Sequence, residues 1–228
     1  MKSINIIAIF MMLGAAFAQD APVLKTQQDK INYGIGVGVA RNFKSQGIEV
    51  DLDVVIRGMK DTLSGAPLLM TEEELAKTMN AFQQEVAVKL ALVRKATAES
   101  NKKAGDAFLQ ENAKKEGVTV LPSGLQYKIL KAGDGKTPSN ADSVVCHYRG
   151  TFIDGREFDS SYKRGEPLTI KVQGGVIPGW SEALKLMPVG SKWQVFIPSQ
   201  LAYGEKGAGS QIGPNAALIF EIELLSIK

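Results

Sequence analysis

Apolar side chains recur at helical spacing in the first half of the chain and at alternating spacing in the second. Over residues 29–46, Ile31, Ile35, Val39 and Phe43 fall every fourth position, on one face of a helix that Gly47 would stop. A second helix, capped by Asp51 or Asp53, carries Val55, Ile56, Met59 and Leu63 and ends at Gly65, Ala66 and Pro67. Thr71 and Glu74 form a capping-box pattern at the start of a longer helix. There Leu75, Met79, Phe82, Val86, Leu90 and Val93 step by four, three, four, four and three along one stripe. The stripe stops at Val93. Residues 94–106 are almost all polar or small, nothing before Gly105 breaks the helix, and apolar residues return at Phe108 and Leu109. This pattern predicts a solvent-bridging stalk. As one helix, residues 71–116 would be roughly 70 Å long, far longer than a ~100-residue domain is wide.

After Gly117 the period changes to two. Residues 118–121, 125–130, 143–148, 168–172, 192–197 and 217–225 read as strands separated by Gly, Pro, Asp and Asn turns. Between them Trp180, Ala183, Leu184 and Met187 share one face of a short helix that ends before Pro188, Val189 and Gly190. The expected class is α+β: an antiparallel sheet with a short helix, preceded by an all-α segment. Gly34, Gly36 and Gly38 each lower helix propensity by roughly 1 kcal/mol, which close approach of another helix backbone would offset. They do not form a phosphate loop, because no strand precedes them and the G-x-G-x-x-G spacing is absent. Three helices with about a dozen large apolar residues make a thin core for one chain, so self-association is expected. The alternative is that they pack against the rest of their own chain.

A chain of 228 residues, 44% apolar, can bury a full domain and a smaller unit. Its formal charge of +3 comes from Lys and Arg spread along the sequence, which argues against a nucleic-acid partner. The one Cys rules out an intrachain disulfide and CxxC chemistry. Residues 1–18 carry Lys2, an apolar run shorter than the ~20 residues of a bilayer span, and small Ala16 and Ala18 around Phe17. That reads as a cleaved signal peptide with no lipidated Cys after it and no stable membrane anchor. Loss of Lys2 would lower the charge from +3 to +2. An exported protein is expected, periplasmic first, with outer-membrane association or secretion as further destinations. The organisation read from these patterns is a leader over 1–18, a helical dimerisation segment over 19–70, a connecting helix over 71–117 and a sheet domain over 118–228.

Covalent catalysis finds no constellation. Cys146 and His147 are neighbours in a predicted strand, so their side chains point to opposite faces. Metal binding has no ligand cluster beyond scattered acids, and no cofactor motif is present. What remains is a set of apolar and aromatic residues between strands: Tyr148 in HYRG, Phe158 and Asp159 in DGREFDSSY, Val176, Ile177 and Trp180 in VIPGW, Tyr203 in LAYG, and Ile212 and Phe220 in IGPNAALIFEIELL. Such a dry concavity suits a reaction that changes no covalent bond. Rotation about an X-Pro bond is one: its barrier is about 20 kcal/mol and arises from lost amide resonance.

The five motifs, in this order, resemble the FKBP-type peptidyl-prolyl isomerases, and the leader and helical stretch resemble the macrophage infectivity potentiator branch of that family. The resemblance implies an FKBP-like antiparallel sheet wrapped around a short helix. It also implies a homodimer formed through the N-terminal helices, with a long linker helix leading to each catalytic domain. Trp180 would be the floor under the prolyl ring. Tyr148, Phe158, Val176, Ile177 and Phe220 would be the walls, joined by Leu168 and Ile212. The Tyr203 hydroxyl and the Ile177 N–H would donate to substrate carbonyls, and Asp159, paired with Arg164, would orient and polarise the strained amide. Implied partners are unfolded or partly folded proteins with exposed X-Pro bonds and macrolide-type inhibitors. Leu168 in place of an aromatic, Gly175 in place of an acid and Pro178 in place of a base would alter ligand affinity and residue preference before proline. A second reading keeps the pocket but makes the protein a dimeric chaperone for nonnative chains, with isomerisation secondary.

Overall fold

The computed structural model of the chain describes residues 24–228, so the leader read over 1–18 lies outside the described residues. The chain divides into two compact units at Glu72 and Glu73. In the first unit, α1 (Gln27–Gln46) opens with a capping box. Thr26 Oγ1 accepts from the Asp29 N–H at 3.0 Å, and the Asp29 carboxylate accepts from the Thr26 N–H at 2.8 Å. Asp51, rather than Asp53, caps α2 (Leu52–Ser64), accepting from the N–H groups of Asp53 and Val54. Left-handed Gly47 and Gly65 end the two helices. Neither helix buries a large apolar side chain: Ile35 is 62% and Leu63 88% exposed.

The second unit takes in nearly all of α3 (Glu72–Asn112), 41 residues and about 60 Å long. The helix continues through Gly105. The expectation of a solvent-bridging stalk over 94–106 is overturned from Arg94 onward, because this part of α3 is docked on the sheet domain. Asn101, Gly105, Phe108 and Asn112 follow one another at spacings of four, three and four, and each has a partner there. Asn101 Nδ2 donates to the Pro214 carbonyl at 2.8 Å, and the rings of Phe108 and Phe196 lie 6.0 Å apart. A Cβ placed on Gly105 would stand 3.0 Å from the Ala217 Cβ, so this glycine permits the close approach. Asn112, fully buried, donates to Gln126 Oε1 at 2.9 Å, and Gln126 Nε2 donates to the Leu109 carbonyl at 2.9 Å. The face was not legible from hydrophobicity because, Phe108 apart, amides and a glycine occupy it.

Among the described residues seven strands form one antiparallel sheet. They are β1 (Val118–Val120), β2 (Gln126–Lys131), β3 (Ser143–Phe152), β4 (Glu157–Ser160), β5 (Leu168–Lys171), β6 (Lys192–Ile197) and β7 (Leu218–Ile227). Their order is β1-β2-β6-β7-β3-β4, with β5 also paired to β3. Strand alternation turns Val144, Cys146 and Tyr148 of β3 and Leu218, Phe220, Ile222 and Leu224 of β7 into the core. The helix α5 (Pro178–Leu184), with Pro178 in its first turn, lays Trp180, Ala183 and Leu184 on that same core, and Met187 follows just beyond it. The sequence pattern misses β4, which is four residues long and has only one apolar side chain. It also ends β3 early at Tyr148, where Arg149 and Gly150 resemble a turn.

Candidate active site

The central strands, β4 and α5 bring the predicted aromatic residues into one cluster. Trp180 is 3% exposed and meets Tyr148 and Phe220 edge-on, at centroid separations of 5.2 Å in both cases. Phe220 in turn meets the edge of Phe158 at 5.6 Å. Gly150, paired with both Asp159 and Phe220, makes this packing feasible: a Cβ there would lie 2.7 Å from Phe158 and 2.8 Å from Phe220. A cavity of about 160 Å³ opens over the cluster. Tyr148, Phe158, Asp159, Leu168, Val176, Ile177, Trp180, Tyr203 and Phe220 all line it. Ile170 and Gly175 complete the lining. Ile170 was missed by sequence reasoning, although its place two residues after Leu168 on β5 puts both on one face.

Two residues of the expected set stand elsewhere. Ile212 lies in the loop after β6, packs into the buried core and does not line the cavity. Arg164, at the end of α4 (Ser161–Arg164), reaches the site only through its neighbours: Nη1 donates to Asp159 Oδ1 at 2.5 Å and Nη2 to the Tyr148 hydroxyl at 2.7 Å. Tyr148 closes the triangle by donating to Asp159 Oδ2, and the Ser160 N–H donates to Asp159 Oδ1 at 2.8 Å. Partial burial alone would raise the Asp159 pKa, but the hydrogen bonds from Tyr148 and Arg164, the Arg164 charge and the Ser160 N–H outweigh it and hold the carboxyl below its ordinary range. Burial first, and then the Asp159 hydrogen bond, pushes the Tyr148 phenol up. The Tyr203 phenol is raised by burial and by the Asp159 charge, and the residue is 38% exposed at the cavity's edge. Asp159 is thus a held anion beside an apolar floor, with two neutral phenols close to it.

The remaining candidates for covalent chemistry are occupied structurally. Cys146 is fully buried, and desolvation pushes its thiol up to about 12. His147 Nδ1 lies 3.0 Å from Ser161 Oγ, and its ring stacks on Tyr162 at 4.6 Å. Among the described residues no group of three His, Cys, Asp or Glu is placed to hold a metal ion, and no helix is long and apolar enough to cross a membrane.

Comparison with known proteins places the chain. The family model for FKBP-type peptidyl-prolyl cis-trans isomerase matches residues 134–225, and that for the domain amino terminal to FKBP-type peptidyl-prolyl isomerase matches residues 28–129. The "Outer membrane protein MIP" of Legionella longbeachae is 50% identical over 217 residues, which cover 95% of this chain and 93% of the relative. The chain belongs to the FKBP-type peptidyl-prolyl cis-trans isomerase family. The "Peptidyl-prolyl cis-trans isomerase Mip" of Coxiella burnetii is 42% identical over 97% of this chain and 96% of its own. The crystal structure of FkpA from Escherichia coli superposes with a TM-score of 0.68 at 36% identity, covering 90% of this chain and 99% of that one. The FKBP-type fold, the helical region before it and the likeness to Mip proteins all agree with the family resemblance read from the motifs. The chain is an enzyme, a peptidyl-prolyl cis-trans isomerase.

Proposed function

We propose that the isomerase works through the cavity over Trp180. The carrying observation is that an apolar floor and a held carboxylate share one small cavity: Trp180, Tyr148, Phe158 and Phe220 lie beside Asp159, with Tyr203 at the edge. A prolyl ring rests on Trp180 between the aromatic walls and Val176, Ile177 and Leu168. The planar amide is more polar than the twisted one, so a dry pocket disfavours the ground state relative to the transition state. Tyr203 donates to a substrate carbonyl at the rim, and so does the N–H of Ile177, for which the described residues supply no acceptor. Asp159, held by Tyr148 and Arg164, orients the strained amide by its charge and is not a nucleophile. These fixed dipoles hold the twisted geometry without reorganising at the moment of reaction. Macrolide-type ligands would occupy the same cavity.

Substrates are X-Pro bonds in unfolded or partly folded proteins, and the enzyme acts as a homodimer through the N-terminal helices. Support for the dimer is the exposed apolar side of α1 and α2, with Ile31, Ile35, Met59 and Leu63 uncovered in the single chain. An exported location, in the periplasm or at the outer membrane, is supported by the leader pattern and by the name of the Legionella relative. Refolding of a proline-limited model protein, with the parent compared to Asp159→Ala, Tyr203→Phe and Trp180→Ala, tests the site. The parent accelerates the slow phase and the variants lose the effect; equal acceleration by all four would move the chemistry elsewhere. The chaperone reading rests on the same exposed apolar helices. Suppression of aggregation that survives the Asp159→Ala/Tyr203→Phe pair would establish it, and joint loss of both activities would sink it as a separate function.

A further inference from the structure

The loop between β6 and β7 carries Tyr203 and is hydrogen-bonded to α3 at two points. Within the loop, two 3-10 turns, Ser199–Leu201 and Gly204–Lys206, flank Tyr203, and the Asn215 N–H donates to the Gly204 carbonyl at 2.8 Å. From α3, the Arg94 guanidinium donates through Nη2 to the carbonyls of Glu205, at 3.1 Å, and Lys206, at 2.9 Å. Two helical turns later, Asn101 Nδ2 donates to the Pro214 carbonyl at 2.8 Å. Both grips thus fall within the segment that the Gly204–Asn215 bond closes, one just after Tyr203 and the other at the loop's return. Residues seven apart on a helix share a face, so a single rigid element sets both ends of the loop. In these hydrogen bonds the helix supplies only donors and the loop only backbone carbonyls, so they fix backbone position independently of the loop's side chains.

We propose that Arg94 and Asn101 are positioning residues of the isomerase, which hold the loop so that the Tyr203 hydroxyl stands at the rim of the cavity. The proposal rests on the assignment of Tyr203 to the site. Residues of the helix that precedes the catalytic fold are then part of the apparatus that sets its rate. A hydroxyl displaced by about 1 Å donates poorly at the twisted amide, and the penalty falls on turnover more than on the apolar binding of the ring.

The test uses the full chain and a proline-containing tetrapeptide, with kcat and KM measured separately and Tm recorded for every variant. Arg94→Ala lowers kcat by about tenfold and Asn101→Asp, which keeps the shape but loses the donor, by about fivefold, with KM nearly unchanged. Arg94→Lys, which retains a donor, recovers part of the loss. Lys102→Ala, on the solvent side of the same helix turn and paired with Asp106, leaves kcat at the parent value. The deciding measurement is the double variant with Tyr203→Phe: Arg94→Ala then adds little further loss, because the group it positions is gone. If Arg94→Ala leaves kcat within twofold of the parent, or multiplies fully with Tyr203→Phe, the positioning role is overturned. If Tyr203→Phe alone is silent, the assignment of Tyr203 fails and the proposal with it, which is a distinct result from a damaging Tyr203→Phe beside a silent Arg94→Ala.

Discussion

Trp180 and Tyr203 test opposite requirements of the site. Trp180 is a buried ring in contact with two others, so Trp180→Ala should cost about 3–5 kcal/mol of stability as well as activity, read as a drop in the denaturant midpoint. Tyr203→Phe removes one oxygen from a partly exposed ring, and should leave that midpoint in place while lowering kcat/KM by about tenfold. A variant in which both quantities fall together would place Tyr203 among structural residues. Asp159 adds a pH dependence. Its carboxyl is held below the ordinary value of 3.8 in the folded chain, so its contribution to stability is complete above the unfolded value and is lost as pH falls through the lower folded one. The Tm difference between the parent and Asp159→Asn should therefore be constant from neutral pH down to about pH 5 and shrink on acidification below about pH 4. A difference that grew on acidification would reverse the sign of the Asp159 shift. That most of these residues line one cavity was legible because their motifs fix residue type at each position. Ile212 was not, since an apolar residue beside a loop looks the same whether it faces the cavity or the core.

At the scale of elements, alternation and helical spacing disclosed the strands and helices whose buried faces are greasy, and failed where burial is polar or short. The docked face of α3 is the clearest instance. Asn101, Gly105 and Asn112 read as solvent-exposed by type, yet Asn112 is the most enclosed polar residue of the helix and completes a buried amide pair with Gln126. A buried amide left without its partner costs the full desolvation of the amide that remains. Asn112→Ala should thus destabilise the sheet domain by about 1–3 kcal/mol, while Asn112→Ala with Gln126→Leu recovers part of the loss, measured by denaturant unfolding. Full additivity of the two substitutions would show that the pair is not coupled. The short β4 escaped for the opposite reason: its charged Glu157 and Asp159 hide an alternation of only four residues, and its place is set by pairing to β3 rather than by its own pattern.

At the scale of the whole molecule, the first unit has almost no interior of its own. The helices α1 and α2 bury no large apolar side chain, and an added Cβ at Gly34, Gly36 or Gly38 would meet nothing within 4 Å. In a lone chain, then, Gly36→Ala should only gain helix propensity, stabilising by up to about 1 kcal/mol. Against a partner's backbone packed on that face the same methyl group would collide, and the substitution would weaken association. The two outcomes have opposite signs, which makes a small substitution informative about assembly. Sedimentation equilibrium of the parent should give a dimer, and Gly36→Ala should raise its dissociation constant. Ile35→Glu with Leu63→Glu, which puts charge on two of the uncovered apolar positions, should give monomers. Neither position lies in the unit that holds the cavity, so kcat/KM on a tetrapeptide should stay at the parent value in the monomeric variant, while acceleration of a refolding protein falls if capture of long chains needs two copies. A monomeric parent, or a Gly36→Ala variant that is more stable and no less associated, would mean that the exposed faces of α1 and α2 serve something other than a second copy of the chain.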